Sequence, residues 1–362
     1  MLRAAVSDKA FPGAFAIVGD SRGVIAEYGA GHLDWRRSPR PNRSNLWDLA
    51  SLTKVIGTTT ALAQLLEDGS VTLDAPVQRY LPDWTGPMQE QVSIQHLLTH
   101  TSGLPSFRPY DTLTHNPDSL ALMLFRTPLD RPPGERMVYS DIGAFMMGRI
   151  VETVSGERLD HYLAAHVFTP LGMTETMFLP ADSMRSRIAP TEVDTLRGGL
   201  VRGFVHDERA YYLGGVAAHA GLFSSARDVS RFATILLRGG ALDSVRILHE
   251  ATIALLTAYA DSTVNNRALG WQKPERPGMR DKTPSSAWAG QYMSGRAFGH
   301  TGFTGTSIAV DPSLDVYVIL LSNRVNPTRA NIKIGAVRSR LADAVVPVIR
   351  RSRAQASHVE DR

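Results

Sequence analysis

A serine three residues ahead of a lysine, Ser51 and Lys54, is the pair in this chain best suited to nucleophilic chemistry. Asp48-Leu49-Ala50-Ser51-Leu52-Thr53-Lys54 holds the only Ser-x-x-Lys of the sequence, and lysine itself is scarce, five against 34 arginines. On a helix, positions i and i+3 share one face and bring their side chains within reach. A serine at a helix N-terminus meets unpaired N–H groups and the positive end of the dipole. A lysine among apolar residues is expected to have a depressed pKa, because burial penalises the ammonium form. In that state it can take a proton from serine, which is a poor nucleophile unaided. Alone, the motif is equally well read as an ordinary buried helix start.

The surrounding pattern places these residues. Val55, Ile56, Leu62, Ala63 and Leu66 follow a helical period that ends at Gly69, a suitable C-cap. Before them, two β-rich runs, 14–19 and 24–29, flank Asp20-Ser21-Arg22-Gly23 and predict an antiparallel hairpin. From about residue 76 to 213 the chain reads as short helices and loops. Within it, Tyr139-Ser140-Asp141 precedes a helix carried by Ile142, Phe145, Met146, Ile150, Val151 and Val154, with Ser140 or Asp141 as N-cap. Ser225 opens a helix that runs to Gly239-Gly240. Strands are predicted over 306–310 and 316–321, and a closing helix over 331–346. Residues 271–296 read as a long surface loop, and the polar tail from Arg350 as mobile. The fold class predicted is α+β: an antiparallel sheet built from both chain ends, covered by helices, with a mostly helical lobe inserted. The expected boundaries are 1–75 and 214–349 for the α/β domain, 76–213 for the lobe, and 350–362 for the tail.

Composition narrows the function classes. The chain has 362 residues, 43% of them hydrophobic and 20% charged, which suits a large folded core and excludes a disordered chain. The net charge of +4 comes from scattered arginines, so no nucleic-acid partner is expected. With no cysteine, disulfides and thiolate ligands are excluded. No apolar run reaches membrane-spanning length. Met1-Leu2-Arg3-Ala4-Ala5-Val6-Ser7-Asp8 lacks a leader's apolar segment, so the chain as written reads as unexported; a leader upstream of Met1 would place it in the periplasm or outside the cell.

Two further stretches turn the pair into a constellation: Tyr139-Ser140-Asp141 and Gly299-His300-Thr301-Gly302. Ser-x-x-Lys, then Tyr-x-Asn, then Lys- or His-Thr-Gly, in that order, is the pattern of the serine β-lactamase and penicillin-binding-protein superfamily, and this sequence resembles its class C and esterase-like branch over nearly its whole length. The stretches His96 to Pro105 and Pro170-Leu171-Gly172-Met173 look like the same branch. The resemblance implies a hydrolase with Ser51 as nucleophile, Lys54 sharing the role of base, and Tyr139 relaying the proton to the leaving group. It also places His300 on the sheet edge where lysine often stands. The oxyanion hole would use the N–H groups of Ser51 and Phe303. Asp141, Thr301, Gly302 and His219 would contact substrate. Asp141 departs from the family's asparagine: an ionised carboxylate accepts hydrogen bonds and cannot donate to a β-lactam carbonyl, and beside Lys54 it favours the ammonium. Val205 to Ala210, Gly215 to Phe223 and His300 to Ser307 look like the branch holding exo-acting N-acetylmuramoyl-L-alanine amidases, which implies a muropeptide or other small-molecule substrate. Carboxylesterase, β-lactamase, D,D-peptidase and a non-catalytic penicillin-binding sensor are the other readings.

No cofactor or metal is expected. His96 and His100 have the i,i+4 spacing of a zinc pair but no His-Glu-x-x-His, and a structural turn is the better reading. His206-Asp207-Glu208 reads as a solvated loop ahead of a metal or sugar site. His219, among small residues, fits a packed histidine as well as a pocket wall. Neither a Gly-x-Ser-x-Gly elbow nor a phosphate-binding glycine loop is present.

Overall fold

The structure is a computed structural model that describes residues 1–36, 38–261, 265–275 and 288–360. Its centre is a five-stranded sheet made of β1 (Gly13–Asp20), β2 (Gly23–Gly31), β5 (Phe298–Thr301), β6 (Ser307–Asp311) and β7 (Val316–Ser322). Its order is β2-β1-β7-β6-β5, antiparallel throughout. The first hairpin pairs with the last one, Ala14 facing Ser322 and Ile17 facing Ile319. Closing a loop of roughly 300 residues between them costs on the order of 5 kcal/mol. A few buried side chains at roughly 2 kcal/mol each offset that, and β1 and β7 bury Phe15, Ile17, Ile319 and Leu321 on one face alone.

The two faces follow the strand period of two. Phe15, Ile17, Ile308, Val310, Ile319 and Leu321 join the main core. Ala14, Ala16, Ala309, Val318 and Leu320 face a second cluster with Leu2 and Ala5 of α1 (Leu2–Ser7) and Ile334, Val337 and Leu341 of α5 (Ile334–Glu360). The main core also takes in α2 (Thr59–Glu67), α3 (Asp141–Ser155) and α4 (Ala226–Leu237). Between α2 and α4 the chain forms short helices and loops, as the sequence suggested. A short pair, β3 (Leu46–Asp48) with β4 (Phe223–Ser225), leads into the Ser51 segment. Among the described residues no helix is long and apolar enough to cross a membrane.

Three local expectations change. The closing helix does not stop near 346 but runs through Pro347 to Glu360, so residues 350–360 are helical rather than an irregular tail. Arg350 donates to the Tyr292 carbonyl at 2.9 Å, and Arg353 reaches the Asp315 carbonyl at 2.8 Å and Asp20 at 3.3 Å. These contacts dock the added turns. The helix after Ser51 begins as a π turn, Lys54–Thr58, before α2. Of the loop expected over 271–296, residues 276–287 lie outside the described residues; Trp271 and Trp288, at its flanks, are buried rather than on the surface.

Candidate active site

Asp48, at the end of β3, sets the geometry of the Ser51 turn. Its buried carboxylate accepts from the Ala50 N–H at 2.8 Å and the His206 N–H at 2.7 Å. Burial pushes this carboxyl up. Ala50 is held at φ +47°, a left-handed conformation that costs an L-residue about 1 kcal/mol, and Ser51 follows it. The π turn then directs two side chains at one stretch of backbone: Thr58 Oγ1 donates to the Ala218 carbonyl at 2.7 Å, and Lys54 Nζ to the His219 carbonyl at 2.9 Å.

Lys54 is the hub. Its Nζ lies 3.1 Å from Ser51 Oγ, 2.8 Å from Asp141 Oδ1, and 4.9 Å from the centre of the Tyr139 ring. Its side chain is 2% exposed. Burial alone would push the ammonium down, as the sequence led us to expect. Asp141 and Tyr139 outweigh burial, and the pKa is raised above its ordinary value. In this arrangement Lys54 is held as an ammonium that donates to Ser51 Oγ.

Asp141 stands where it does because Ser140 takes the cap. Ser140 Oγ accepts from the Gly143 N–H at 3.0 Å and donates to the Pro105 carbonyl at 2.6 Å, which leaves the Asp141 carboxylate free to turn inward. A cap of this kind contributes about 1 kcal/mol. Asp141 Oδ2 meets Arg209 at 2.9 Å, Arg209 also reaches Asp207 at 3.3 Å, and Asp207 meets His219 Nε2 at 3.0 Å. Burial would raise both carboxyls. Lys54, His219 and Arg209 instead hold Asp141 down, and His219 and Arg209 hold Asp207 well below the carboxylate range. Arg209 is raised by the same two carboxylates against its burial.

The far wall is the edge of the sheet. The His300 ring centre lies 6.0 Å from that of Tyr139, and the His100 ring centre lies 4.5 Å from it. His300 Nδ1 lies 2.9 Å from the Thr301 carbonyl; since a carbonyl only accepts, Nδ1 carries the proton and Nε2 is left without a partner. Burial, then Arg267 and Lys54, push His300 well below its ordinary pKa, so it is neutral at neutral pH. The turn after Thr301 is pressed against the nucleophile. Thr304 Oγ1 donates to the Asp48 carbonyl at 2.7 Å and Thr306 Oγ1 to the Leu49 carbonyl at 3.0 Å. A Cβ on Gly302 would collide with Thr306 Oγ1 and lie 2.5 Å from the Leu49 carbonyl oxygen, so a side chain there forces the neighbouring turn to shift. Arg324 holds the Phe303 carbonyl at 2.7 Å and Arg338 the Gly302 carbonyl at 2.6 Å. Among the described residues, no acceptor takes the N–H of Ser51 or of Phe303.

The structure thus gathers Ser51, Lys54, Tyr139, Asp141, His300, Thr301, Gly302 and Phe303 around one point. His219 differs: its ring is buried against Asp207, so it touches the site through its carbonyl rather than as a substrate contact. His206 is buried as well, bonded to Glu192 at 2.9 Å, so His206-Asp207-Glu208 is part of the support and not a solvated loop. His96 serves as the third residue of a capping box with Ser93, and His100 accepts from the Ser140 N–H at 3.1 Å, which gives both the structural roles expected of a turn. Sequence reasoning missed Arg209 and Arg267. Arg209 sat inside a stretch already singled out; Arg267 had no signal at all.

A serine bonded to a buried lysine, a tyrosine beside it, and a sheet edge with a close glycine turn define a serine hydrolase of β-lactamase fold. The chain belongs to the β-lactamase family, whose model, described as Beta-lactamase, matches residues 1–342. It is 32% identical over 308 residues to a putative D-alanyl-D-alanine carboxypeptidase of Escherichia coli (strain K12), covering 77% of this chain and 69% of that one. Its fold is similar to a penicillin-binding protein homologue from Caulobacter crescentus, with a TM-score of 0.72, 20% identity, and 95% and 97% of the two chains covered. EstCE1, a hydrolase with promiscuous acyltransferase activity, is similar at a TM-score of 0.72 and 20% identity, over 93% and 96% of the chains.

Proposed function

We propose that this protein hydrolyses an amide bond of a cell-wall-type peptide through an acyl-enzyme on Ser51. Ser51 Oγ attacks the acyl carbon while its proton passes to the Tyr139 oxygen, which enters the step as the phenolate and leaves it as the phenol. The N–H groups of Ser51 and Phe303 receive the oxyanion. The carbon–nitrogen bond then breaks, and the leaving amine takes the proton from Tyr139. Water repeats the sequence on the ester, giving the acid and free Ser51. Lys54, as an ammonium, orients Oγ and stabilises negative charge as it develops. The observation that carries this reading is the contact of Lys54 Nζ with Ser51 Oγ, 3.1 Å, beside the Tyr139 ring.

Two amides fit. The D-alanyl-D-alanine bond is supported by the name of the E. coli relative, and the N-acetylmuramoyl-L-alanine bond by the stretches around His206, His219 and Phe303. The first has the broader basis, since that similarity runs over most of the chain. A carboxylesterase is the second reading, favoured by a sheet edge where neutral His300 offers no cation to a substrate carboxylate. The test is turnover of a D-alanyl-D-alanine peptide, an N-acetylmuramoyl-L-alanine peptide, p-nitrophenyl butyrate and a chromogenic cephalosporin by the same preparation. Peptide cleavage that depends on Ser51 is the expected result. Ester cleavage with neither peptide cut moves the assignment to the esterase, and cephalosporin turnover above the rest overturns the peptide reading.

A further inference from the structure

Beside Tyr139 the cluster holds a positive charge that no carboxylate among the described residues balances. Lys54 lies against Asp141, and Arg209 bridges Asp141 and Asp207, so two cations meet two carboxylates. Arg267 has no such partner. Its guanidinium carbon sits 5.1 Å from the centre of the Tyr139 ring, and the residue is 2% exposed. Among the described residues its Nε and Nη1 make no hydrogen bond and no carboxylate pairs with it. The backbone fixes it there: its N–H donates to Asn265 Oδ1 at 2.8 Å and its carbonyl accepts from Ala260 at 2.9 Å. Burial pushes the guanidinium down to about 10, with Tyr139 alone holding it up, so it stays charged at neutral pH. A buried charge left unpaired is costly, and such sites persist where the charge has a task.

The groups that face Tyr139 narrow that task. Lys54 comes from the π turn, Asp141 from the start of α3, His100 from the loop ahead of it, His300 from β5, and Arg267 from the loop before Trp271. Asp141 neutralises Lys54. Burial, then Arg267 and Lys54, keep both His100 and His300 neutral. The sheet-edge position that often holds lysine therefore supplies no charge here.

We propose that Arg267 is a positioning residue for the acid–base chemistry, supplying from the neighbouring loop the positive charge that keeps the Tyr139 oxygen able to accept the Ser51 proton. The proposal rests on the acyl-enzyme reading above. Its step is acylation: the Oγ–carbon bond forms and the carbonyl oxygen becomes the oxyanion as the serine proton moves to the Tyr139 phenolate, then the carbonyl re-forms and the carbon–leaving-group bond breaks, and Arg267 acts on this only through Tyr139.

The test measures acylation by p-nitrophenyl acetate, a neutral ester, in stopped flow across the pH range. Arg267→Gln should slow acylation tenfold or more at neutral pH. The deficit should close as pH rises, with the acid limb of the profile moved up by about one unit or more. Arg267→Lys should recover most of the rate, and His300→Lys in the Arg267→Gln background should restore it from the sheet edge. A loss equal at every pH, with no rescue by lysine at either place, would overturn the proposal in favour of a structural role. A loss confined to substrates that carry a carboxylate would overturn it in favour of substrate anchoring. Should Arg267→Gln not fold, His300→Lys alone must move the acid limb down in pH, and an unmoved limb refutes the charge argument. Failure of the acyl-enzyme reading looks different: the wild-type protein would then form no Ser51-dependent acyl-enzyme at any pH.

Discussion

Replacing Asp141 by asparagine gives the side chain of the Tyr-x-Asn pattern that the motif resembles and removes the charge that holds Lys54. The carboxylate lies 2.8 Å from Lys54 and 2.9 Å from Arg209, and it is 21% exposed. At an effective dielectric of about 20, one unit pair at that distance interacts by roughly 6 kcal/mol gross. Desolvation offsets part of this, and losing one member of a buried pair typically costs about 3–5 kcal/mol. Since the amide keeps an oxygen for Lys54, we expect a loss near the lower figure, about 3 kcal/mol, in urea unfolding at neutral pH. With its main partner gone, burial dominates Lys54, and its pKa falls. The amide also gains a donor for a lactam carbonyl. Acylation by a chromogenic cephalosporin should therefore rise in Asp141→Asn, about tenfold or more. A double-mutant cycle with Lys54→Met isolates the pair. Coupling below about 0.5 kcal/mol, with unchanged cephalosporin acylation, would refute the reasoning.

Two other outcomes follow from the sheet edge. An exposed histidine in the unfolded chain titrates near 6.5, whereas folded His300 takes its proton only well below that. The unfolded state therefore binds more protons between the two values, and stability is lost as pH falls below about 6.5. The slope contributed is about 1.4 kcal/mol per pH unit, and His300→Asn should remove it in urea titrations. Because His300 is neutral throughout the neutral range, it contributes no limb to the rate profile there, which corrects the behaviour an unperturbed histidine at this position would give. Gly302→Ala should leave the protein folded but cut turnover on the order of 100-fold, since a Cβ 2.5 Å from the Leu49 oxygen must displace the Ser51 turn. Near-normal turnover in that variant would show that the turn does not set the site.

What could be read from residues alone depended on period and spacing. The hairpins at both chain ends and the helix after Lys54 follow from local patterns, and the convergence of Ser51, Tyr139 and His300 from the family resemblance that their ordered motifs carry. The charge states do not. Lys54 looks like a neutral base when only its apolar neighbours are counted; the resemblance already set Asp141 beside it, and what the structure adds is the 2.8 Å contact, made possible because Ser140 caps the helix and leaves Asp141 free. Asp207 and Arg209 form a second tier of the same pairing, and a long-range ion pair leaves no periodic trace. Arg267 was one arginine among 34, distinguished only by what surrounds it once folded. The extension of α5 beyond Pro347 was hidden for a related reason: its polar residues look solvated until Arg350 and Arg353 reach carbonyls on the sheet side.

The account stands on Ser51 as the covalent nucleophile. Intact-protein mass spectrometry after brief incubation with a D-alanyl-D-alanine peptide, and separately with a fluorophosphonate, tests this directly. We predict one acyl or phosphonyl adduct, located by peptide mapping on Ser51, absent from a folded Ser51→Ala variant that also has no turnover. An adduct on another serine, or undiminished turnover in Ser51→Ala, would contradict the account.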